Sequence, residues 1–314
     1  MLNTRLSTNI PNNLNKEAKS NEIFLATQIS SKITKILENL NLLNYKLDGD
    51  EEILVDLIKK EKFKLTSESS RENLEKIYRL LIKYVKSKLI MCFNMQKKES
   101  TSNYLKSSKI LVSKDYNTKN KLVIFIPDRQ TDCCIFSKVS LIYGSLKKGS
   151  IINYVEQAMN SNYSVLLMNP YKHEKKDKTT TFKQYDHYDY CEAVYEEFVL
   201  GRENIKNIVF IVNKMGSFTM IKLINKFKED FRLKVKKVIL INSSHNSMFE
   251  VLSPEMRIDF ETKCTNYITS SSPEGTLLYS STESNEGCEN RSSGSLNESL
   301  SYHMIKEDIG KILN

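Results

Sequence analysis

The sequence predicts an α/β protein in which a mostly parallel sheet is flanked by helices. Four short and almost uninterrupted apolar runs, at 122–126, 164–168, 207–212 and 237–242, have the composition of strands buried on both faces. Helical stretches separate them, near 151–160, 185–200 and 218–231, and strand–helix alternation is the signature of parallel strands joined by crossovers. The chain has 314 residues, enough for one large domain with extensions or for two small ones.

Residues 1–21 are rich in Asn, Ser and Lys without an apolar period, which predicts a disordered tail. Residues 22–100 read as a helical and hairpin extension packed on the core. Its first helix follows from Ile29, Ile33, Ile36, Leu37, Leu40 and Leu43 at helical spacing. An alternating stretch then turns at Asp48-Gly49, a hairpin signal. The second helix, between Ser70 and Met91, lines up Leu74, Ile77, Tyr78, Leu81, Ile82, Val85 and Leu89 on a face suited to cover a sheet. Residues 101–314 hold the four strands. The charged stretch 171–183 and the Ser-rich stretch 269–301 read as loops, and a short helix at 302–313 closes the chain.

Composition excludes several classes. With 40% hydrophobic and 27% charged residues, the chain is not disordered throughout. No apolar stretch approaches the ~18–20 residues of a membrane span, and the polar N-terminus lacks the pattern of a signal peptide. Cys92, Cys133, Cys134, Cys191, Cys264 and Cys288 show neither a disulfide framework nor a CxxC pair. His173, His187, His245 and His303 are too scattered for a spaced zinc site. The expectation is an intracellular, reduced protein without metal or cofactor. The net charge of +9 is mild but uneven. Lys222, Lys226, Lys228, Arg232, Lys234, Lys236 and Lys237 face only Glu229 and Asp230 between 222 and 237, which permits contact with a nucleic-acid backbone.

In such a fold, function sits on the loops that leave the carboxyl ends of the strands. The third strand runs into Val212-Asn213-Lys214-Met215-Gly216-Ser217 and directly into a helix. That is the setting in which an α/β-hydrolase carries its nucleophile elbow, G-x-S-x-G. Gly216 is kept where helix and strand approach closely, but Lys214 occupies the nucleophile's slot.

Several segments in this order resemble the Arb family, meaning Argonaute-binding protein two and its animal cotranscriptional-regulator relatives. The family's A-H-S-Y-G-G pattern corresponds to residues 212–217, and its L-I-H-G-S-G strand end to Phe125-Ile126-Pro127-Asp128-Arg129-Gln130. Its T-D-S-V-H-N segment is similar to Ile241-Asn242-Ser243-Ser244-His245-Asn246. Its Ser-rich C-N-W-V-S-S-S loop resembles residues 266–276, and H-E-L-T-S-W resembles Asn297-Glu298-Ser299-Leu300-Ser301-Tyr302. The helix at 72–88 is similar to the one preceding the family's core, so the resemblance runs from about residue 40 to 313.

The resemblance implies an α/β-hydrolase-like fold and a triad whose Ser, Asp and His fall on Lys214, Asn242 and Asn297. All three are replaced. A serine hydrolase needs a hydroxyl nucleophile, an imidazole to take its proton and a carboxylate to orient that imidazole. Pro127 and Asp128 stand where a His-Gly pair would let backbone N–H groups reach an oxyanion. The expected function is therefore a non-catalytic interaction module. The resemblance implies Argonaute, chromatin or splicing-associated partners, indirect contact with small RNA, heterochromatin formation or splicing regulation, and a nuclear or cytoplasmic location.

Two alternatives remain open from the sequence: a degenerate serine hydrolase and a direct RNA binder. The first would use Ser217, three residues past the slot, or His303, close to the family's histidine position. The bland readings are a helix-terminal hydroxyl for Ser217 and a loop hydrogen bond for His245. Lys214 is expected to be solvated or paired with Asp128. Cys133 and Cys134 are expected to be buried apolar residues with redox activity as the alternative, and Lys172–Lys178 a solvated loop with nuclear import as the alternative.

Overall fold

The structure, a computed structural model, describes residues 12–64, 70–99, 109–128, 131–169, 187–243, 245, 249–279, 287–298, 301–302 and 305–313. Helix α1 (Asn12–Leu42) has neither Gly nor Pro along its length, and Pro11 stands just ahead of it. Over residues 12–21 a helix stands where the disordered tail was expected. Residues 12–21 are the first turns of α1, propagated from the segment whose Ile29, Ile36 and Leu40 are buried. Residues 1–11 lie outside the described residues.

The hairpin follows as β1 (Tyr45–Asp48) and β2 (Ile53–Asp56), extended by β3 (Glu61–Lys62). Gly49 supplies the left-handed φ of +70° at the predicted turn. Helix α2 (Arg71–Cys92) is capped by Ser70, whose side chain accepts the Asn73 N–H, and buries Ile77, Leu81, Val85 and Leu89.

The main sheet has eight strands: β4 (Met95–Glu99), β5 (Lys109–Ser113), β6 (Lys121–Ile126), β7 (Ser164–Leu167), β8 (Asn207–Asn213), β9 (Val235–Ile241), β10 (Cys264–Ile268) and β11 (Glu289–Ser292). Their spatial order is β4-β5-β7-β6-β8-β9-β10-β11. The strands from β7 to β11 in that order are mutually parallel, and β5 runs against β7 and β4. This is the α/β-hydrolase-like sheet that the sequence predicted, and the four expected strands are its parallel centre.

Successive side chains of a strand point to opposite faces, and the sheet buries both. Val123, Phe125, Val209, Ile211, Ile239 and Ile241 share one core with α1, α2, α4 (Ile152–Asn160) and the C-terminal helix α9 (Lys306–Leu313). The short α3 (Leu146–Gly149) lies on that side as well. Ile124, Phe210, Val212, Val238 and Leu240 share the other core with α5 (His187–Tyr195), α6 (Gly216–Lys226), α7 (Lys228–Lys234) and α8 (Pro254–Lys263).

The boundary expected after residue 100 falls just after β4. Strand β4 pairs with β5 in the main sheet, and α2 packs in the same core as β6 and β8. Four strands of the main sheet, β4, β5, β10 and β11, were not expected. β10 (CTNYI) buries Thr265 and Asn266 beside Cys264 and Tyr267, and β11 (ENRS) has no apolar residue. Asn266 Nδ2 donates to Asn290 Oδ1 at 3.1 Å across the pair, so a buried amide contact replaces apolar packing at this sheet edge.

The Ser-rich stretch expected as a loop is tied down by hydrogen bonds. Ser292, Ser293 and Ser301 are buried, Ser292 Oγ donates to Ser272 O at 2.7 Å, and Ser293 Oγ meets Ser301 Oγ at 3.0 Å. Glu274 in this stretch lies near Asp308 of α9. Burial, then Asp308, raises its pKa above the usual carboxylate value. A carboxyl raised in the folded state costs stability as pH rises from about 4.3 through the raised value. Glu274→Gln is thus expected to raise the melting temperature at pH 7 and to leave it unchanged at pH 3.5. An equal shift at both values would tie the effect to packing rather than charge.

Candidate functional site

The chain order reverses between β6 and β8, so the loops at their carboxyl ends flank the crevice where open α/β sheets place their sites. Lys214 follows β8 in the left-handed region, with φ of +45°, and α6 starts two residues later. A non-glycine residue in that region marks a sharp and strained turn, as a nucleophile elbow requires. The Lys214 N–H donates to Ile241 O at 2.9 Å, which ties the elbow to β9. A Cβ on Gly216 would lie 2.6 Å from Pro127 O and 3.0 Å from Ile126 O, so only glycine lets α6 start against the end of β6. Asn242 closes β9 with φ of +48°, and its N–H donates to Tyr267 O at 2.8 Å.

The geometry brings Lys214 and Asn242 to neighbouring strand ends, while Asn297 is exposed. Tyr302 is buried beside them. Its ring is buried and stacked on Phe136 at 5.2 Å, and its hydroxyl lies beside the amides of Asn242 and Asn213. Burial, followed by the charges of Glu298 and Asp128, raises the pKa of that phenol, so it stays protonated at neutral pH. Asn213 Nδ2 donates to Phe136 O at 3.2 Å. Asn213 Oδ1, Asn242 Nδ2 and Tyr302 Oη are buried without a well-aligned hydrogen-bond partner among the described residues.

Lys214 Nζ pairs with Glu298 Oε1 at 2.8 Å, which corrects the expected pairing with Asp128. The acid sits in the segment that delivers Tyr302, one residue past Asn297, where the reach of Lys214 ends. Ser217 is buried, and its Oγ donates to Lys214 O at 2.7 Å inside the first turn of α6. At the end of β6, Asp128 O accepts the Thr131 N–H at 3.1 Å, while Pro127 has no N–H to offer. The contacts described here are an ion pair and amide hydrogen bonds. Sequence reading missed Asn213, Glu298 and Tyr302. The signal for two of them was present, because both belong to the segment from Asn297 to Tyr302 that carries the family resemblance.

The profile of the Arb2 domain matches residues 36–274, about three quarters of the chain and both sides of the crevice. The chain belongs to the Arb2 domain family. A cotranscriptional regulator ARB2A homolog from Xenopus tropicalis is 23% identical, over 45% of this chain and 45% of that protein, so the match spans about half the relative's length. Among solved structures, a histone deacetylase from Saccharomyces cerevisiae is similar at 9% identity with a TM-score of 0.48, over 76% of this chain and 95% of that one. The histone deacetylase Clr3 is similar at 10% identity with a TM-score of 0.47, over 82% of this chain and 47% of that one.

The other candidates sort by geometry. In this Arb2 domain three of the seven basic residues of the stretch 222–237 are ion-paired within the chain. Lys226 pairs with Glu192 and Glu196 at 2.8 and 2.9 Å, Lys234 with Asp230 at 2.6 Å, and Arg232 with Asp259 at 3.1 Å. Lys222 Nζ sits 3.5 Å from the centre of the Tyr188 ring. Cys133 and Cys134 are buried in the apolar core shared by α2 and β6, as expected, with one carboxylate beside them. Both thiols lie on Asp132 Oδ1, at 3.5 and 3.3 Å, and Asp132 Oδ2 accepts from Lys86 of α2. Burial, then Asp132, pushes the Cys134 thiol up. His303 and Lys172–Lys178 lie outside the described residues. Among the described residues there is no helix long and apolar enough to cross a membrane and no metal-ligand cluster.

Proposed function

We propose that this Arb2 domain is a non-catalytic interaction module, a hydrolase-like scaffold whose acyl-transfer machinery has been replaced. The observation that carries this reading is the elbow itself. Its strained backbone is kept, while its side chain is an ammonium held by Glu298 and its neighbour is an amide at Asn242. A protonated, ion-paired amine is not a nucleophile, an amide neither takes the proton nor orients a base, and Pro127 contributes no oxyanion donor. Tyr302 lies over the two strand ends where an imidazole would have to stand.

By kinship with the cotranscriptional regulator ARB2A homolog, the partners are chromatin, splicing or Argonaute-containing assemblies, and the place of action is the nucleus. The test is affinity purification of the tagged chain from native cells, with a Lys214→Ala/Tyr302→Ala variant beside it. Argonaute or chromatin factors recovered with the chain support the reading, and their absence from repeated purifications counts against it.

The catalytic half has its own test. Lys214→Ser restores the hydroxyl but neither the base nor the oxyanion donors, and one such donor is worth roughly 3–4 kcal/mol. Its hydrolysis of activated esters is expected to match buffer, and neither variant nor wild type should label with a fluorophosphonate. Wild-type turnover that is abolished by Ser217→Ala would establish the degenerate hydrolase instead.

A further inference from the structure

Beyond the elbow, the loop after β9 and the residue ahead of β11 build a second constellation, Ser243, His245 and Cys288. His245 is fully buried, with its ring against Phe260 at 5.6 Å. Its Nε2 lies 3.4 Å from Cys288 Sγ, and its Nδ1 lies 2.9 Å from Ser243 Oγ. The loop is fixed at both ends of this contact. Ser243 Oγ accepts the His245 N–H at 3.1 Å, and the Ser243 N–H donates to Asn266 Oδ1 at 3.2 Å. On the other side Gly287, with φ of +72°, passes so close to Phe249 that a Cβ there would come within 2.5 Å of the ring. The chain therefore delivers Cys288 in one position, partly exposed.

A nucleophile within hydrogen-bond reach of a base, the base in turn held by a third polar group, is the arrangement of an activated nucleophile. We propose that Cys288 is a reactive thiol, with His245 as its proton acceptor and Ser243 as the group that orients the imidazole, open to modification by soft electrophiles. Once protonated, the imidazole keeps an acceptor on each nitrogen, Ser243 Oγ on one side and the Cys288 thiolate on the other, so charge separation is satisfied at both ends. Cys264 and Cys288 immediately precede the paired residues Thr265 and Glu289, yet Cys264 is buried and its thiol is pushed up by that burial, so of these two cysteines the reactive one is Cys288.

In the reaction, Cys288 Sγ passes its proton to His245 Nε2 and attacks. With a haloacetamide the S–C bond forms, the C–I bond breaks, iodide leaves with the bonding pair and the imidazolium returns its proton to water. With a hydroperoxide the sulfur takes one oxygen and the O–O bond breaks. The leaving oxygen then collects the imidazolium proton, the thiol is oxidised by two electrons to a sulfenic acid, and the peroxide is reduced to water or an alcohol.

The test is site-resolved iodoacetamide labelling of the full chain at pH 7, read by peptide mass spectrometry, with the exposed Cys92 as internal reference. Cys288 is expected to react on the order of 10-fold faster than Cys92, since an assisted thiol carries more thiolate at neutral pH. His245→Gln should bring it to the rate of Cys92 or below, and Ser243→Ala should slow it several-fold with the imidazole still present. Hydrogen peroxide followed by dimedone should tag Cys288 in wild type and not in His245→Gln. A wild-type Cys288 no faster than Cys92 overturns the proposal whatever the variants do. So does His245→Gln labelling at the wild-type rate. Should His245→Gln fail to fold, the wild-type ratio and Ser243→Ala decide. Fluorophosphonate labelling of Ser243 would make the hydroxyl, not the thiol, the nucleophile.

Discussion

Lys86→Met is expected to destabilise the protein by about 3–5 kcal/mol, because it strips the cation from a carboxylate that is itself buried. Asp132 is 7% exposed and Lys86 17% exposed at their side chains. The pair joins α2 to the loop after β6, beside the crevice, so the loss falls on the joint between the N-terminal helices and the sheet. Burial works against the Lys86 ammonium, but its neighbours Cys133, Cys134 and Asp132 outweigh it and hold its pKa above the usual lysine value. A raised basic group stabilises fully below its unfolded pKa, about 10.4, and loses that contribution as pH rises through the folded value. The gap between wild type and variant should therefore be constant from pH 6 to 9, measured by denaturant titration, and close only in stronger alkali. Lys86→Met/Asp132→Asn should recover most of the loss, since an uncharged amide tolerates that burial better. A single variant within 1 kcal/mol of wild type would mean that water reaches Asp132 when the lysine is gone.

The second large effect is expected at Gly216→Ala. The new methyl would meet two backbone oxygens, those of Pro127 and Ile126, and neither can rotate away as a flexible side chain would. Overpacking of this kind costs roughly 1–3 kcal/mol even where side chains can yield, and a backbone contact belongs at the upper end. The melting temperature should drop by about 5–10 °C on the ~2–4 °C per kcal/mol typical of domains this large. Gly201→Ala is the control, with no atom within 4 Å of the added Cβ and no positive φ. If both variants melt together with wild type, α6 is not pinned against β6 as described.

The centre of the fold was legible because its strands are buried on both faces. Residues 122–126 and 208–212 are wholly apolar and mostly branched, and the helical stretches between the strands leave few ways to connect them. The first turns of α1 were not legible, since Asn and Lys carry no apolar period there, and a helix once nucleated by its buried C-terminal half extends through them. Nor were β10 and β11. A strand held at the sheet edge by Asn266 and Asn290 has no hydrophobic pattern to read.

At the site, the sequence by itself determined which residues stand at the positions marked by the family resemblance: lysine at 214, asparagine at 242 and 297, proline at 127. These are matters of composition at fixed spacing, and no folding can return a hydroxyl or an imidazole to them. Only the tertiary structure decided what stands there instead. Glu298 rather than Asp128 reaches Lys214, Tyr302 rather than Asn297 covers the strand ends, and Cys288 meets His245 across 43 residues of chain. Each of these contacts joins segments that are distant in sequence. Their partners are chosen by where the sheet sets down its strand ends, a quantity that no local period or spacing encodes.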